Sequence, residues 1–222
     1  HAYVRRQRQM CIRDRPKMFQ IMPLVLEGLN KTIKKTGLRR RTNMCGIIAA
    51  ASERNVGKLL VQGLHKMEYR GYDSAGIALH QDDKIAHLRT LGKVKLLEEK
   101  MISEKPRSKL GIAHTRWATH GEPSEENAHP HKSNERVYIV HNGIIENYLD
   151  LKDFLKKEGY SFSSQTDSEL IAHMLEYFLS KDNTMLDAMY LTKEKLDGAY
   201  AIAAIDKEDD KNIIIARSKS PL

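Results

Sequence analysis

The chain has little cysteine, little tryptophan and no long apolar run. Its 222 residues include two cysteines, Cys11 and Cys45, and one tryptophan, Trp117. Two cysteines do not imply a disulfide framework, and they fit a reducing compartment. No stretch is long enough to span a membrane. These features predict a cytoplasmic protein with one sizeable domain or two small ones.

Acidic residues are almost missing from the first 44 residues. That segment has twelve Lys or Arg against Asp14 and Glu27, whereas the whole chain has 37 basic and 29 acidic residues. The formal net charge of +8 therefore belongs to one segment, and the remainder is nearly neutral. For this reason we expect neither nucleic acid nor a membrane as a partner of the domain.

Residues 1–43 also lack the marks of a fold. The run RRQRQMCIRDR has no periodicity, and the apolar stretch from Met18 to Leu29 is interrupted by Pro23 and Glu27. A secretory signal would need an uninterrupted apolar core and a small-residue cleavage site. We interpret residues 1–43 as a non-native, disordered extension. The alternative is a processed leader, of which an organelle transit peptide is one form.

From Cys45 onward, short apolar runs alternate with amphipathic segments. The predicted strands are Cys45–Ala51, Ala75–His80, Ile85–Leu91, Leu110–His114, Val137–His141, Ala199–Ile205 and Ile213–Ala216. The predicted helices are Val56–Glu68, Lys93–Met101, Leu149–Glu158, Asp167–Leu179 and Met185–Leu196. Because several strands follow one another without a helix between them, we expect antiparallel sheets flanked by helices, an α+β fold.

The one cysteine of this region directly follows Met44. If translation starts at Met44 and the methionine is removed, Cys45 carries a free α-amino group. The reference pKa of such an amine is about 7.7–8.0 and that of a thiol about 8.5, so the amine can act as base toward its own thiol. A small buried hydrophobic side chain is the ordinary interpretation of a single cysteine.

Four polar segments lie between the predicted elements. They are EYRGYDSAG at 68–76, HTRWATHGEPSEENAHPH at 114–131, HNGIIENY at 141–148 and TDSE at 166–169. Each alone could be turn chemistry, since Asn142 with Gly143 is a hairpin signal and Asp167 could cap a helix. Their order and spacing after a Met-Cys start are shared by one family.

Residues 45–222 resemble the glutaminase domain of the glutamine–fructose-6-phosphate aminotransferase family. YRGYDSAG, HTRWATHG and NAHPH are typical of this family, whereas the related phosphoribosylpyrophosphate enzymes show HRGQESAG at the first motif. The resemblance implies the N-terminal-nucleophile hydrolase fold, an αββα sandwich of two antiparallel sheets between helix layers. It also implies that residues 45–222 form a type 2 glutamine amidotransferase domain, which we expect to be C-terminally incomplete.

The resemblance implies a role for each candidate residue. Cys45 is the expected nucleophile, and the Asn142 side chain with the Gly143 backbone N–H is the expected oxyanion hole. Arg116 is expected to bind the substrate carboxylate, and Asp167 the substrate ammonium. The alternatives are a surface ion pair for Arg116 and a helix cap for Asp167.

A loop expected to close over glutamine comes from the same resemblance. Its residues are Trp117, Thr119, His120 and Gly121, with Trp117 as an aromatic lid, and Arg70 is expected to support the nucleophile end. Core packing is the alternative for Trp117.

Four histidines, His114, His120, His129 and His131, fall within eighteen residues. No cysteine or carboxylate completes a zinc spacing and Pro130 interrupts the last pair, so we expect no metal. The family resemblance implies no cofactor for this half-reaction.

The expected reaction is hydrolysis of glutamine through a Cys45 thioester, which supplies ammonia for glucosamine 6-phosphate synthesis. Fructose 6-phosphate would bind only to an isomerase domain that these residues do not include, and the full-length enzyme is expected to be a homodimer. Another N-terminal-cysteine amidotransferase, such as amidophosphoribosyltransferase, is one alternative. An inactive glutamine-binding fragment, with the amine of Cys45 blocked, is the other.

Overall fold

Two four-stranded antiparallel sheets form the centre of the molecule. The computed structural model describes residues 45–70, 72–117 and 121–219, without the side chain of Arg70. The strands are β1 (Gly46–Ala51), β2 (Ser74–Gln81), β3 (Lys84–Leu91), β4 (Leu110–Arg116), β5 (His131–Ser133), β6 (Val137–Ile145), β7 (Gly198–Asp206) and β8 (Ile214–Ser218). The first sheet has the order β1-β4-β2-β3 and the second β5-β6-β7-β8. The prediction of antiparallel sheets is confirmed.

Helices cover the outer face of each sheet. They are α1 (Gly57–Met67), α2 (Val94–Glu104), α3 (Tyr148–Lys157), α4 (Glu169–Leu179) and α5 (Met185–Lys195). The α1 and α2 helices pack on the first sheet, and α3, α4 and α5 pack on the second. Among the described residues, no helix is both long and apolar enough to cross a membrane.

Alternation of side chains along each strand builds the layers. In β4, Leu110 and Ile112 face the second sheet, whereas Ala113 packs toward the helices of the first. In β6, Tyr138 and Val140 face the first sheet in the same way. All five are at most 1% exposed, and burying a large apolar side chain contributes about 1.5–3 kcal/mol. The result is the predicted αββα sandwich.

Several strands are longer than the apolar pattern predicts, and the added residues of β4 and β6 include candidate site residues. The β4 strand continues to Arg116, because its last residues pair with Gly46 of β1 and Ser74 of β2. The β6 strand continues to Ile145, so Asn142 and Gly143 lie within it. The hairpin interpretation of these two residues is therefore wrong, since β7 supplies pairing partners for both.

The short strand β5 was not predicted. Its sequence HKS is polar, and it pairs with β6 through a register that joins His131 to Ile139 and Ser133 to Val137. No local pattern marks a three-residue edge strand, because its backbone pairing depends on a partner later in the chain.

The strand register positions the candidate site. Gly46 pairs with Thr115, so the residue before β1 lies beside the residue after β4. Alternate side chains of β4 point to the same face, so His114 and Arg116 face the second sheet as Ile112 does. One end of the space between the sheets is therefore polar, and the rest is the apolar inter-sheet core.

Candidate active site

Cys45 lies at the start of β1, against the end of β4. Its Sγ accepts a hydrogen bond from the Trp117 backbone N–H at 3.1 Å and lies 3.5 Å from the Trp117 carbonyl oxygen. The Trp117 side chain is 38% exposed, so the core-packing alternative for it is wrong. Its backbone contact with the thiol was not predicted, because it depends on the pairing of β1 with β4.

The surroundings of the thiol favour its protonated form. Burial raises the pKa of Cys45, and the nearby Asp73 carboxylate raises it further. The Trp117 N–H and the Arg116 guanidinium act in the opposite direction, but burial is the largest influence. The thiol is therefore neutral at pH 7, and a nucleophilic attack by its sulfur requires a base that removes the proton.

Asn142 joins the second sheet to the residue that carries the thiol. Its Nδ2 donates to the Cys45 carbonyl oxygen at 3.3 Å, and its Oδ1 lies 2.8 Å from His114 Nε2. The next residue, Gly143, has φ of +132°, and a Cβ built there would lie 2.1 Å from the Ala199 carbonyl oxygen. Only glycine fits this position, because both the backbone angle and the close approach exclude a side chain.

Arg116 is buried at the end of β4. It is 4% exposed, so the alternative of a surface ion pair is wrong. Its Nη1 lies 3.6 Å from Asp73 Oδ1, and its Nη2 donates to the Gly121 carbonyl oxygen at 3.3 Å. Asp73 also accepts from the Ser74 hydroxyl at 2.8 Å. Sequence reasoning missed Asp73, although it lies in the YRGYDSAG segment.

Asp167 lies two residues before α4, and its side chain contacts the end of β6. Its Oδ2 accepts from the Ile145 backbone N–H at 2.8 Å, and the Ser168 hydroxyl donates to its Oδ1 at 3.4 Å. The predicted helix began at Asp167, but α4 begins at Glu169. Its carboxylate therefore bonds to β6 instead of capping the first turn of α4.

The expected closing loop is only partly described. Thr119 and His120 lie outside the described residues, as do Met44 and residues 1–43, and the description of Arg70 stops at its backbone. Gly121 is described, with φ of +76°. Its carbonyl oxygen contacts Arg116, so it belongs to the same region as the buried guanidinium.

Asn127 connects the segment after β4 to the segment before α4. Its Nδ2 donates to the Glu122 carbonyl oxygen at 2.8 Å, and its Oδ1 accepts from the Gln165 N–H at 2.8 Å. The side chain is 2% exposed. Asn127 lies in the NAHPH motif, to which the sequence analysis assigned no role, and its bridging contacts become visible only in the fold.

Buried histidines pack beside the polar end of the site. The rings of His114 and His129 are 4.2 Å apart, those of His129 and His131 are 4.6 Å apart, and His131 Nε2 lies 3.0 Å from the Thr166 hydroxyl. Burial lowers the pKa of His114 to about 4 and that of His131 to about 3, so both are neutral at pH 7. Within the described part of the chain, no group of three ligating side chains could hold a metal ion.

The site thus brings together several of the sequence candidates. Cys45 contacts Trp117 and Asn142 directly, and Arg116 contacts Gly121. The Asp167 side chain accepts a hydrogen bond from the backbone N–H of Ile145, which lies two residues after Gly143 in β6. A half-buried thiol beside an amide donor, close to a buried guanidinium and a carboxylate, is suited to acyl transfer from a small zwitterionic substrate.

The sequence matches one domain-family model and a set of curated relatives. Residues 114–221 match the model of the glutamine amidotransferase domain family. Glutamine–fructose-6-phosphate aminotransferase (isomerizing) of Haemophilus ducreyi is 51% identical over 180 residues, which cover 81% of this chain and 29% of that protein. Its counterpart in Vibrio parahaemolyticus is 49% identical with the same coverage. The chain thus spans less than a third of the length of these curated relatives.

Solved structures share the fold. Glutamine phosphoribosylpyrophosphate amidotransferase from B. subtilis matches with a TM-score of 0.65 and 26% identity, covering 79% of this chain and 37% of that one. An allosteric regulatory enzyme of purine biosynthesis matches with the same TM-score and coverage at 27% identity. The fold is therefore that of the N-terminal-nucleophile amidotransferases. Residues 114–221 match a glutamine amidotransferase domain, and the chain corresponds to the glutamine amidotransferase part of glutamine–fructose-6-phosphate aminotransferases.

Proposed function

We propose that residues 45–222 hydrolyse glutamine with Cys45 as the nucleophile. The observation that carries this proposal is the convergence of the Cys45 thiol, the Trp117 N–H and the Asn142 amide at one end of the inter-sheet space. The thiol is neutral there, so the mechanism needs a proton acceptor. In the proposal, that acceptor is the α-amine of Cys45, freed by removal of the preceding residues.

The proposed reaction has two steps. Cys45 Sγ attacks the side-chain amide carbon of glutamine, and the thiol proton passes through the α-amine to the departing nitrogen, which leaves as ammonia. A water molecule then attacks the thioester carbon, the C–S bond breaks, and glutamate is released as the thiol regains its proton. The Asn142 side chain and the Gly143 N–H stabilise the oxyanion that forms in each step.

The amino-acid end of glutamine would bind at the opposite side of the thiol. We propose that Arg116 receives the α-carboxylate, exchanging or sharing its contacts with Asp73 and Gly121 as the substrate arrives. The Asp167 carboxylate would accept from the α-ammonium while keeping its bond to Ile145, since a carboxylate offers several lone pairs. Thr119, His120 and the Trp117 side chain would close over the bound substrate, and Arg70 would support the nucleophile end.

The proposed destination of the ammonia follows the relatives. Their names describe an enzyme that uses glutamine and fructose 6-phosphate, and we propose that this domain supplies ammonia for glucosamine 6-phosphate synthesis in the cytoplasm. Fructose 6-phosphate would bind elsewhere in a longer, homodimeric protein. The structural match to phosphoribosylpyrophosphate amidotransferase favours a second candidate, ammonia delivery to another acceptor, although the identity to that protein is only 26%.

The N-terminus provides the decisive test. Protein translated from Met44 and processed to Cys45 should release glutamate from glutamine, whereas protein that keeps residues 1–44 should not, because its Cys45 nitrogen is an amide. N-terminal sequencing would verify both forms, and thermal unfolding would verify that both fold. Equal glutamate release from the two forms would refute the amine as the base, and no release from either would refute the proposed function.

A further inference from the structure

His114 links the two sheets through its contact with Asn142. It lies on β4 of the first sheet and reaches Asn142 on β6 of the second, where Nε2 and Oδ1 are 2.8 Å apart. The amide of Asn142 in turn donates from Nδ2 to the Cys45 carbonyl oxygen at 3.3 Å. A continuous chain of hydrogen bonds therefore runs from the buried histidine through the amide to the nucleophilic residue.

These two contacts fix which way the Asn142 amide faces. The Cys45 carbonyl oxygen can only accept, so the amide nitrogen must face it, and the amide oxygen must then face His114. Because an amide oxygen cannot donate, His114 Nε2 must carry the proton. Without a donor at His114, the amide could make a half-turn, which would place Oδ1 where Nδ2 now lies and remove the N–H that is proposed to stabilise the oxyanion.

The environment of His114 keeps it in this one state. The side chain is 1% exposed, and its Nδ1 is buried without a hydrogen-bond partner among the described residues. A proton on Nδ1 would therefore be an unsatisfied buried donor, which is costly. Burial lowers the pKa of His114, and the charges of His141 and Arg116 lower it further, against the opposite influence of the Asn142 side chain and the His141 backbone, so the ring is neutral at pH 7. The ring of His129 packs 4.2 Å away.

We propose that His114 is a positioning residue that holds the Asn142 amide with its nitrogen toward the reacting centre. The inference rests on the proposed function, because it assigns Asn142 an oxyanion role. His114 itself does not touch the substrate and does not transfer a proton. Its contribution is to exclude the inverted amide, so it should act on kcat with little effect on glutamine affinity.

The test compares His114→Leu with His114→Gln in protein processed to Cys45. Leucine removes the donor, and we expect kcat to fall by about 10–100-fold with KM changed less than about threefold, a smaller loss than for removal of the oxyanion donor itself. Glutamine retains an N–H that can reach Asn142 Oδ1, so it should recover most of that loss. Titration of the thiol with a diazoketone analogue of glutamine corrects kcat for the fraction of folded sites.

His80→Leu is the matched control. His80 is also buried, at 6% exposure, and its Nε2 bonds to the Lys207 carbonyl oxygen at 2.7 Å, but it lies at the opposite end of β2 from the site. It should lower stability and leave kcat per titrated site unchanged. If His80→Leu and His114→Leu lower kcat equally, His114 has only a structural role.

A double-mutant cycle separates this inference from the proposed function. If His114 acts through Asn142, His114→Leu should cost less than about twofold in an Asn142→Ala background. Equal losses in both backgrounds would overturn the inference while leaving the glutaminase function intact, whereas an inactive wild-type protein would refute the function. Nitrogen-15 NMR of the ligand-free protein gives an answer independent of activity: a proton on Nε2 of His114 supports the inference, and a proton on Nδ1 overturns it.

Discussion

The nucleophile end of the site lies on strands, whereas the end proposed for the head group of glutamine depends partly on loops. Cys45, Trp117 and Asn142 lie within or directly beside β1, β4 and β6, and hydrogen bonds join all three. At the other end, Arg116 lies on β4, but its contact Gly121 and the carboxylate of Asp167 lie between elements. Paired strands hold the side chains that they carry in nearly fixed positions, while loops can adjust to a substrate.

This difference predicts that substitutions at the two ends of the site change different kinetic constants. Substitutions at the nucleophile end should reduce kcat and leave the affinity for glutamine nearly intact, because they remove groups that act on the transition state. Substitutions at the head-group end should mainly raise KM. Asn127 connects the two loops of that end, from Glu122 to Gln165, so its removal should resemble a head-group substitution.

The largest effect is expected for Cys45→Ala. Loss of the thiol removes covalent catalysis, so glutamate release should fall by about 10⁴-fold or more. The dissociation constant of glutamine, measured by calorimetry, should change less than about threefold, because the proposed binding contacts are elsewhere. A large loss of affinity would mean that the thiol end also binds the head group, and the comparison would fail.

Asn142→Ala should have the second largest effect, with kcat lower by about 10²–10³-fold and KM little changed. Asn147→Ala is the matched control, because this nearby asparagine bonds through its amide to Lys195 and Asp197 at the turn after β6. Steady-state kinetics would check both variants. A mainly KM effect for Asn142→Ala would argue against its oxyanion role.

Asp167→Asn tests the head-group end. Asparagine can still accept from the Ile145 N–H but carries no charge, so the bond to the substrate ammonium should weaken by about 1.5–3 kcal/mol, or about 10–150-fold in KM. Hydrolysis of the analogue of glutamine that lacks the α-amino group should be unaffected, because that analogue has no ammonium group to contact Asp167. The exposed Asp150 on α3 provides the control Asp150→Asn.

If glutamine and the amine-free analogue lose the same factor, Asp167 serves the structure of the segment before α4 and does not bind the substrate. That result would also weaken the contrast between the two ends, because the head-group end would then be represented only by Arg116.

The smallest effect concerns stability and pH. Burial lowers the pKa of His87 and His114 to about 4 from 6.5 and that of His131 to about 3, so the unfolded chain binds more protons than the folded one below pH 6.5. Stability should therefore fall as the pH drops from 6.5 toward 4. We expect the thermal midpoint to be lower at pH 5 than at pH 7, by about 2–4 °C for each kcal/mol of stability lost. His87→Gln should make the thermal midpoint depend less on pH. A midpoint of the unaltered protein that does not change between pH 7 and pH 5 would contradict the prediction.

Most of the fold could be predicted because periodicity is a local property. Seven of the eight described strands and all five described helices correspond to predicted segments, since each carries its own apolar pattern. The missed strand β5 and the true ends of β4 and β6 depend instead on backbone pairing with distant residues. Those ends matter most, because they carry Arg116, Asn142 and Gly143.

The sequence by itself predicted antiparallel sheets with helices from its periodicity, and its motifs supplied the family resemblance with the two-sheet fold and the candidate residues, because motifs and periodicity lie in neighbouring positions. Only the tertiary structure decided which groups touch. The Trp117 N–H on the thiol, Asp73 beside Arg116, the Asn127 bridge and the His114 contact to Asn142 each join residues at separate points of the chain. Such contacts depend on strand register and on the packing of one sheet against the other, and a one-residue shift in register would turn strand side chains such as His114 and Asn142 to the opposite face.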